Sequence, residues 1–455
     1  VVAVPNVIPL EPSPDVTVVD SLRDLSLDDL EALFEGAPPR LPVLPDRDVD
    51  VAREPSHARP RRSGDDLPPD GEWWRHPWAL IGVLAVVATL AVVAAALLSG
   101  GGDDDEPPPL PPGAVPIDVW APYWTLADTV TEADVRFGEI RELSPFWYGT
   151  RGARRIVSDE HAPPELTEQF LDAAADSPAR LVPSIRDEMP AGAMASMLAN
   201  PVTRTRHVET ILEFADELEA DGIDIDYEQF AFADGRETWA TTRPNWVAFV
   251  EELAAGLHAD GRTLTISIPP VYDTEQTSDS GYWVYDHGAI AEHADAIRIM
   301  GYDYSVPEPG PIAPLSWVQQ AVDGVSDAVP VELHHKLVLG VPSYGTNWVV
   351  STEGECPVTA DDRTTVNARN IEGLAELRGA VPQYDEAAGE WFFTYDLTVD
   401  DGLTRCTQSR RVHWVGADGV ETRVEIARRA GWGGVALWHS ATRTTRCGRP
   451  CSQRP

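Results

Sequence analysis

The sequence predicts an α/β protein folded as a (β/α)8 TIM barrel, with a small α+β insertion between its seventh and eighth strands. Three observations predict it. Short β-like runs recur from residue 115 onward, amphipathic helical patterns separate several of them, and eight such runs fit within roughly 320 residues. The runs are Ile117–Tyr123, Leu143–Tyr148, Arg180–Ile185, Gly222–Tyr227, Thr263–Ile268, Ala296–Met300, Leu337–Val341 and Gly433–Trp438. Between them, Thr203–Ala220 sets Val208, Ile211, Leu212, Ala215 and Leu218 on one helical face, and Asn245–His258 reads as a second helix. A doubly wound open sheet is the alternative, but no Gly-rich phosphate loop follows the first run. The gap between the last two runs is too long for one helix, so residues 350–415 read as an inserted lobe carrying Cys356 and Cys406.

The segment ahead of the barrel differs in kind. Residues 1–77 are rich in Pro, Asp and Arg without a long apolar period, which predicts a disordered region. Within it, Ser26 can cap a short helix that puts Leu27, Leu30, Leu33 and Phe34 on one face. Residues 26–35 are therefore either a transient helix or a docking peptide for a cytoplasmic partner. Residues 78–98 are uncharged and uninterrupted, and twenty-one residues at ~1.5 Å rise cross a hydrocarbon core of ~30 Å. A cleaved signal peptide would be shorter and nearer the start. Arg59, Arg61, Arg62 and Arg75 closely precede the span, and no Arg or Lys follows it until Arg136. The positive-inside rule then places the N-terminus in the cytoplasm and the barrel outside the cell membrane, in a single pass. Residues 99–114, Gly- and Asp-rich and then Pro-rich, form a tether. The barrel domain takes residues 115–445, and 446–455 are a tail.

Composition narrows the function. The chain carries 74 Asp plus Glu against 35 Lys plus Arg, a formal net charge of −39. Nucleic-acid binding needs clustered cations, so it is excluded as a partner class. The four cysteines, Cys356, Cys406, Cys447 and Cys451, all fall on the expected outer side, where disulfides persist. Of three possible pairings, Cys356–Cys406 with Cys447–Cys451 is preferred. No C-x-x-C pair or neighbouring His cluster points to zinc, so neither a metal nor a cofactor is expected.

The most informative segment is Asp221-Gly222-Ile223-Asp224-Ile225-Asp226-Tyr227-Glu228. Side chains alternate along a strand, so Asp224, Asp226 and Glu228 share one face and Ile223, Ile225 and Tyr227 the other. In a barrel, three carboxylates then point into the lumen near the C-terminal rim, where active sites of this fold lie. Acids ~6–7 Å apart along a confined face cannot all ionise cheaply, so at least one keeps a proton near neutrality. That is the condition for a general acid. A solvated acidic strand end or a divalent-metal site are the alternatives on the alternation alone.

This octad matches the D-x-x-D-x-D-x-E signature of glycoside hydrolase family 18, the chitinase-like enzymes. Three further segments resemble that family in the expected order: Met300-Gly301-Tyr302-Asp303, Leu339 to Gly345, and Gly433 to Trp438. The resemblance spans residues 115–445 and implies a glycosidase acting on N-acetylglucosamine-containing glycan. It implies that Glu228 protonates the glycosidic oxygen, Asp226 orients the substrate acetamido group, and Asp224 shares a proton or hydrogen bond with Asp226. It further implies that Tyr302 contacts the acetamido carbonyl, that Asp303, Met300 and Tyr123 line the sugar pocket, and that Trp438 floors it. Tyr344, in the strand-seven segment, joins the substrate-binding set, and Ser184 supports Asp224. One departure stands out: where the family's third strand often ends Ser-x-Gly-Gly, this chain has Ser184-Ile185-Arg186-Asp187. Charged residues beside the cleft argue against a plain chitin groove. The inserted lobe, with Trp391 to Asp396 and Val412-His413-Trp414, resembles that of bacterial cell-wall and spore-cortex N-acetylglucosaminidases. A lectin-like binding module on the same barrel is the main alternative, and a wall-sensing scaffold the other.

Overall fold

The computed structural model describes residues 115–438, apart from 128, 130–139, 307 and 359, together with two dipeptide strands, Val2–Ala3 and Thr17–Val18, paired in parallel. The chain divides into two units, Val1–Glu106 and Pro107–Pro455. Apart from those two dipeptides, the region 1–77 expected to be disordered, with its expected helix 26–35, the expected span 78–98, the tether 99–114, and Cys447 and Cys451 lie outside the described residues. Among the described residues, no helix is long and apolar enough to cross a membrane.

Eight staves close into a barrel. They are Ile117–Pro122, Glu142–Phe146 with Tyr148–Thr150, Arg180–Leu181 with Ser184–Asp187, Gly222–Asp226, Thr263–Ile268, Ala296–Met300, Leu337–Pro342 and Gly434–Trp438. The last stave pairs in parallel with both the seventh and the first, which closes the ring. Two staves are split, where the sequence predicts unbroken runs. Glu142–Phe146 pairs with Arg180–Leu181, and Tyr148–Thr150 pairs with Ser184–Asp187. The break in the third stave falls at Val182-Pro183, because proline has no N–H to give the ladder.

The alternation expected for the fourth stave is present. Ile223, Ile225 and Tyr227 are fully buried against the outer helices, each side chain stabilising the fold by about 1.5–3 kcal/mol. Tyr227 stacks with His207 and Phe249, from helices Pro201–Glu217 and Trp239–Ala259, and its hydroxyl lies 2.6 Å from His207 Nε2. The outer layer thus grips the strand whose other face points into the lumen.

The inserted lobe starts at Tyr344 rather than near residue 350, because Tyr344–Gly354 runs on almost directly from the seventh stave. It is a five-stranded antiparallel sheet ordered Arg363–Asn367, Tyr344–Gly354, Arg405–Trp414, Glu390–Asp400, Gln383–Asp385. Helix Ala368–Arg378 covers it, with Ile371, Ala375, Phe393 and Val412 in the shared core. Cys356 and Cys406 are disulfide-bonded, as expected, across a separation of 50 residues, a closure worth roughly 4 kcal/mol in chain-entropy terms.

The lobe is also pinned to the barrel. Fully buried Glu390 accepts hydrogen bonds from the backbone N–H of Ile312 (2.9 Å) and Ala313 (2.6 Å), in the loop after the sixth stave. Arg423, from helix Ala417–Arg429, pairs with Glu390 at 3.5 Å and donates to the carbonyls of Ala313, Gly389 and Gly419. The Tyr304 N–H donates to the Ile312 carbonyl at 2.8 Å, so the clamp reaches the cleft wall.

Candidate active site

A cleft of about 720 Å³ opens in the barrel mouth, lined by Asp226, Glu228, Met300, Tyr302, Asp303 and Trp438 among others. Six of the residues singled out from the sequence therefore meet in one place. Two more, Asp224 and Ser184, lie beneath it, fully buried. Tyr344 sits behind Asp303, to whose Oδ1 its hydroxyl donates at 2.5 Å. Tyr123 does not line the cleft; it is half-buried at the rim, its ring 5.0 Å from that of Trp124.

The lumen below holds a dense ionic network. Arg298, in the centre of the sixth stave, is fully buried with Asp118, Glu142 and Asp224 around it. It donates to Asp118 Oδ2 (3.3 Å), Glu142 Oε2 (2.8 Å), Asp224 Oδ2 (3.2 Å) and Ser144 Oγ (2.7 Å). Two more cations close the network from below: Arg141 forks onto Asp118 with both bonds at 2.8 Å, and Arg180 pairs with Glu142. Burial alone would raise Asp118, but Arg298 and Arg141 hold its carboxyl below the usual carboxylate range. Burial and then the Asp118 charge raise Glu142.

This network fixes Asp224. Besides Arg298 it accepts from Ser184 Oγ (2.5 Å), Ser267 Oγ (2.7 Å) and Trp120 Nε1 (3.0 Å). Its acceptor sites are thus engaged by four donors, and the structure shows no hydrogen bond from it to Asp226. Asp226 Oδ1 is instead buried without a partner, facing the cleft residues. Burial first, then the charges of Glu228 and Asp224, push Asp226 well above the usual carboxylate range.

Glu228 follows the strand end and precedes the short helix Gln229–Phe232. Burial, then the charge of Asp303, lifts its carboxyl to about 7. Asp303 has a left-handed backbone, φ +59°, uncommon for a non-glycine residue, and Arg363 from the lobe reaches it at 3.6 Å. Tyr302 is held protonated by burial and by the charges of Asp226 and Glu228, so its hydroxyl keeps a hydrogen to donate. Its ring lies nearly parallel to that of Trp438, with centroids 6.1 Å apart, and Phe146 meets Trp438 edge-on at 4.6 Å. The arrangement offers two neighbouring carboxyls, both held above the usual carboxylate range so that they keep at least one proton between them at neutrality, and an aromatic floor. Among the described residues, no group of three His, Cys, Asp or Glu side chains is arranged to hold a metal ion.

Sequence reasoning missed the lumen network and most of the aromatic wall. Asp118 and Trp120 alternate inward on the first stave, and Arg298 is a lone charge inside Ala-Ile-Arg-Ile-Met. Either was a usable signal, since a charge at the centre of an apolar strand must be paired. Tyr272, Tyr282 and Trp317 also line the cleft, and the helical or loop positions they occupy carry no periodic signature.

Comparison with known proteins agrees with this geometry. A family model described as glycosyl hydrolases family 18 matches residues 157–442. The Bacillus subtilis (strain 168) protein YdhD, named as a sporulation-specific glycosylase by assignment, is 32% identical over 158 residues, 34% of this chain and 34% of that one. This chain therefore matches only about a third of that relative's length. Among solved structures, a chitinase from Chromobacterium violaceum aligns with TM-score 0.57 and 21% identity over 74% of this chain and 99% of its own. The spore cortex-lytic enzyme SleL of Bacillus megaterium aligns with TM-score 0.56 and 14% identity over 72% of each chain.

Proposed function

Because the chain belongs to glycosyl hydrolases family 18, we propose that it hydrolyses β-1,4 linkages beside N-acetylglucosamine in a glycan, with retention of anomeric configuration. One observation carries the reading: Glu228, with its carboxyl lifted to about 7, stands with Asp226 at a cleft floored by Trp438. Glu228 gives its proton to the glycosidic oxygen. The substrate's own acetamido oxygen attacks the anomeric carbon, which sets this family apart from the usual two-carboxylate scheme. With Glu228 carrying the proton that the pair holds, the Asp226 carboxylate faces the acetamido N–H and stabilises the positive charge that develops there. Asp224, immobilised by four donors, holds the strand's inner face in register. Tyr302 donates to the acetamido carbonyl.

The test is to incubate the protein with chitin oligomers, with purified peptidoglycan, and with chitin oligomers deacetylated at the cleaved residue. Products should first appear with the starting anomeric configuration. The deacetylated substrate should react at least ~100-fold more slowly, because it lacks the intramolecular nucleophile. Equal cleavage of deacetylated substrate, or inverted product, would show the mechanism to be wrong. Tight binding without turnover would favour a lectin-like module.

The substrate we favour is the cell's own envelope glycan. The tether of ~15 residues at ~3.1 Å each keeps the barrel within ~50 Å of a membrane crossed by residues 78–98, a leash that suits a fixed substrate. The relative assigned as a sporulation glycosylase is in keeping with this. The proposal places the barrel on the outer face, in agreement with the disulfide Cys356–Cys406. Protease added to intact cells or spheroplasts should remove the barrel and spare residues 1–77. A barrel protected under conditions that digest a known outer-face protein would rule the topology out.

A further inference from the structure

Arg186 occupies a place in the cleft that a neutral sugar chain does not call for. It lies at the end of the third stave and lines the cleft together with Asp226 and Glu228. Its guanidinium stands 5.3 Å from the centroid of the Phe146 ring, which packs in turn on the floor residue Trp438. The side chain is held rigidly from one side. Nη2 donates to Asp159 Oδ2 at 3.1 Å and to Glu188 Oε1 at 2.9 Å, and Arg151 braces Glu188 at 2.8 Å. Nε is buried without a hydrogen-bond partner, while about a quarter of the side chain as a whole (26%) is exposed. A cation here also works against the expected chemistry, since it lowers the proton affinity of Asp226 and Glu228. A cation placed here at some expense to the acid has a physical rationale if the ligand brings an anion.

We propose that Arg186 is a specificity determinant that pairs with a carboxylate on the sugar adjoining the cleaved bond, so that the preferred substrate is an acidic, not a neutral, N-acetylglucosamine glycan. This deepens the glycosidase reading above and rests on it. With both Nη2 hydrogens taken by Asp159 and Glu188, a ligand carboxylate would be met by Nη1 through charge-assisted hydrogen bonds, and Phe146 beneath the guanidinium fixes its plane. Two sugar chemistries could supply the group, a lactyl ether as on muramic acid or a uronic acid.

The test uses binding, so that it reads the inference separately from turnover. The probes are a peptide-free tetrasaccharide alternating N-acetylglucosamine and N-acetylmuramic acid, the same tetrasaccharide with its carboxyls reduced to alcohols, and an N-acetylglucosamine–glucuronic acid tetrasaccharide. The protein should bind at least one acidic probe ~10-fold or more tighter than the reduced one, with a preference that weakens as salt rises. Arg186→Gln should bring that ratio close to one, and Arg186→Lys should restore part of it. The acidic probe that is favoured identifies the source of the carboxylate. An unchanged ratio in Arg186→Gln, or no preference for either acidic probe in the unaltered protein, would overturn the proposal. Selective binding without hydrolysis of any probe would uphold Arg186 and refute the glycosidase reading instead.

Discussion

Glu228→Gln should lower turnover on unactivated N-acetylglucosamine oligomers by roughly 100- to 10,000-fold, the range that a positioned general acid supplies. The amide keeps the shape of the carboxyl and loses only the transferable proton, so substrate affinity should persist. The pH dependence should carry the same signature. Glu228 titrates at about 7, so activity of the unaltered protein should fall as pH rises through that value. Stability supplies a second readout. Between an ordinary carboxyl's 4.5 and about 7, the folded protein keeps a proton on Glu228 that the unfolded chain has released. Stability therefore falls with rising pH across that window, and Glu228→Gln should remove this component. Steady-state kinetics and urea unfolding at pH 5 and pH 8 measure both. Wild-type turnover in the variant would remove Glu228 from the role of acid.

Arg298→Met is expected to be the most destabilising single change in the lumen. Arg298 lies at the centre of Asp118, Glu142 and Asp224, all buried, and methionine would leave Asp224 with no cation and Asp118 and Glu142 with only Arg141 and Arg180. Removing one partner from a buried ionic cluster costs about 3–5 kcal/mol, because the remaining charges lose their compensation. The sign with pH follows. Carboxyls left without their cation titrate higher in the folded state, so the variant binds protons on folding and its deficit should be larger at pH 8 than at pH 5. Arg298→Lys keeps the charge, but a point ammonium cannot serve four acceptors in fork geometry, and it should recover only part of the loss. Denaturant titration at the two pH values decides. A Met variant as stable as the parent at pH 8 would mean that the network contributes nothing to holding the barrel.

What was legible in the sequence was what repeats locally. The alternation of Ile223, Ile225 and Tyr227 against Asp224 and Asp226 placed the inner and outer faces of the fourth stave, and the structure follows it. Glu228 steps off the strand into a helical turn, which alternation could not foresee, yet it stays at the cleft because the turn begins there. The ionic network was hidden because its partners are remote in sequence: Arg298 reaches Glu142 across 156 positions and Asp118 across 180. Pairings of that kind are created by ring closure, and no window along the chain contains both members. The hydrogen bond expected between Asp224 and Asp226 failed for the same reason. Trp120, Ser184, Ser267 and Arg298 arrive from four other staves and engage Asp224 first.

The clamp of Glu390 and Arg423 on Ile312 and Ala313 bears on how the cleft greets a ligand. Tyr304 and Ile312 are joined by one backbone hydrogen bond, and Ile312 is then tied to the lobe. Tyr304 is anchored in this way by the fold itself, and a sugar that settles against it does not have to fix its place again. Association on this side of the cleft therefore carries little of the entropy loss that a mobile lid imposes.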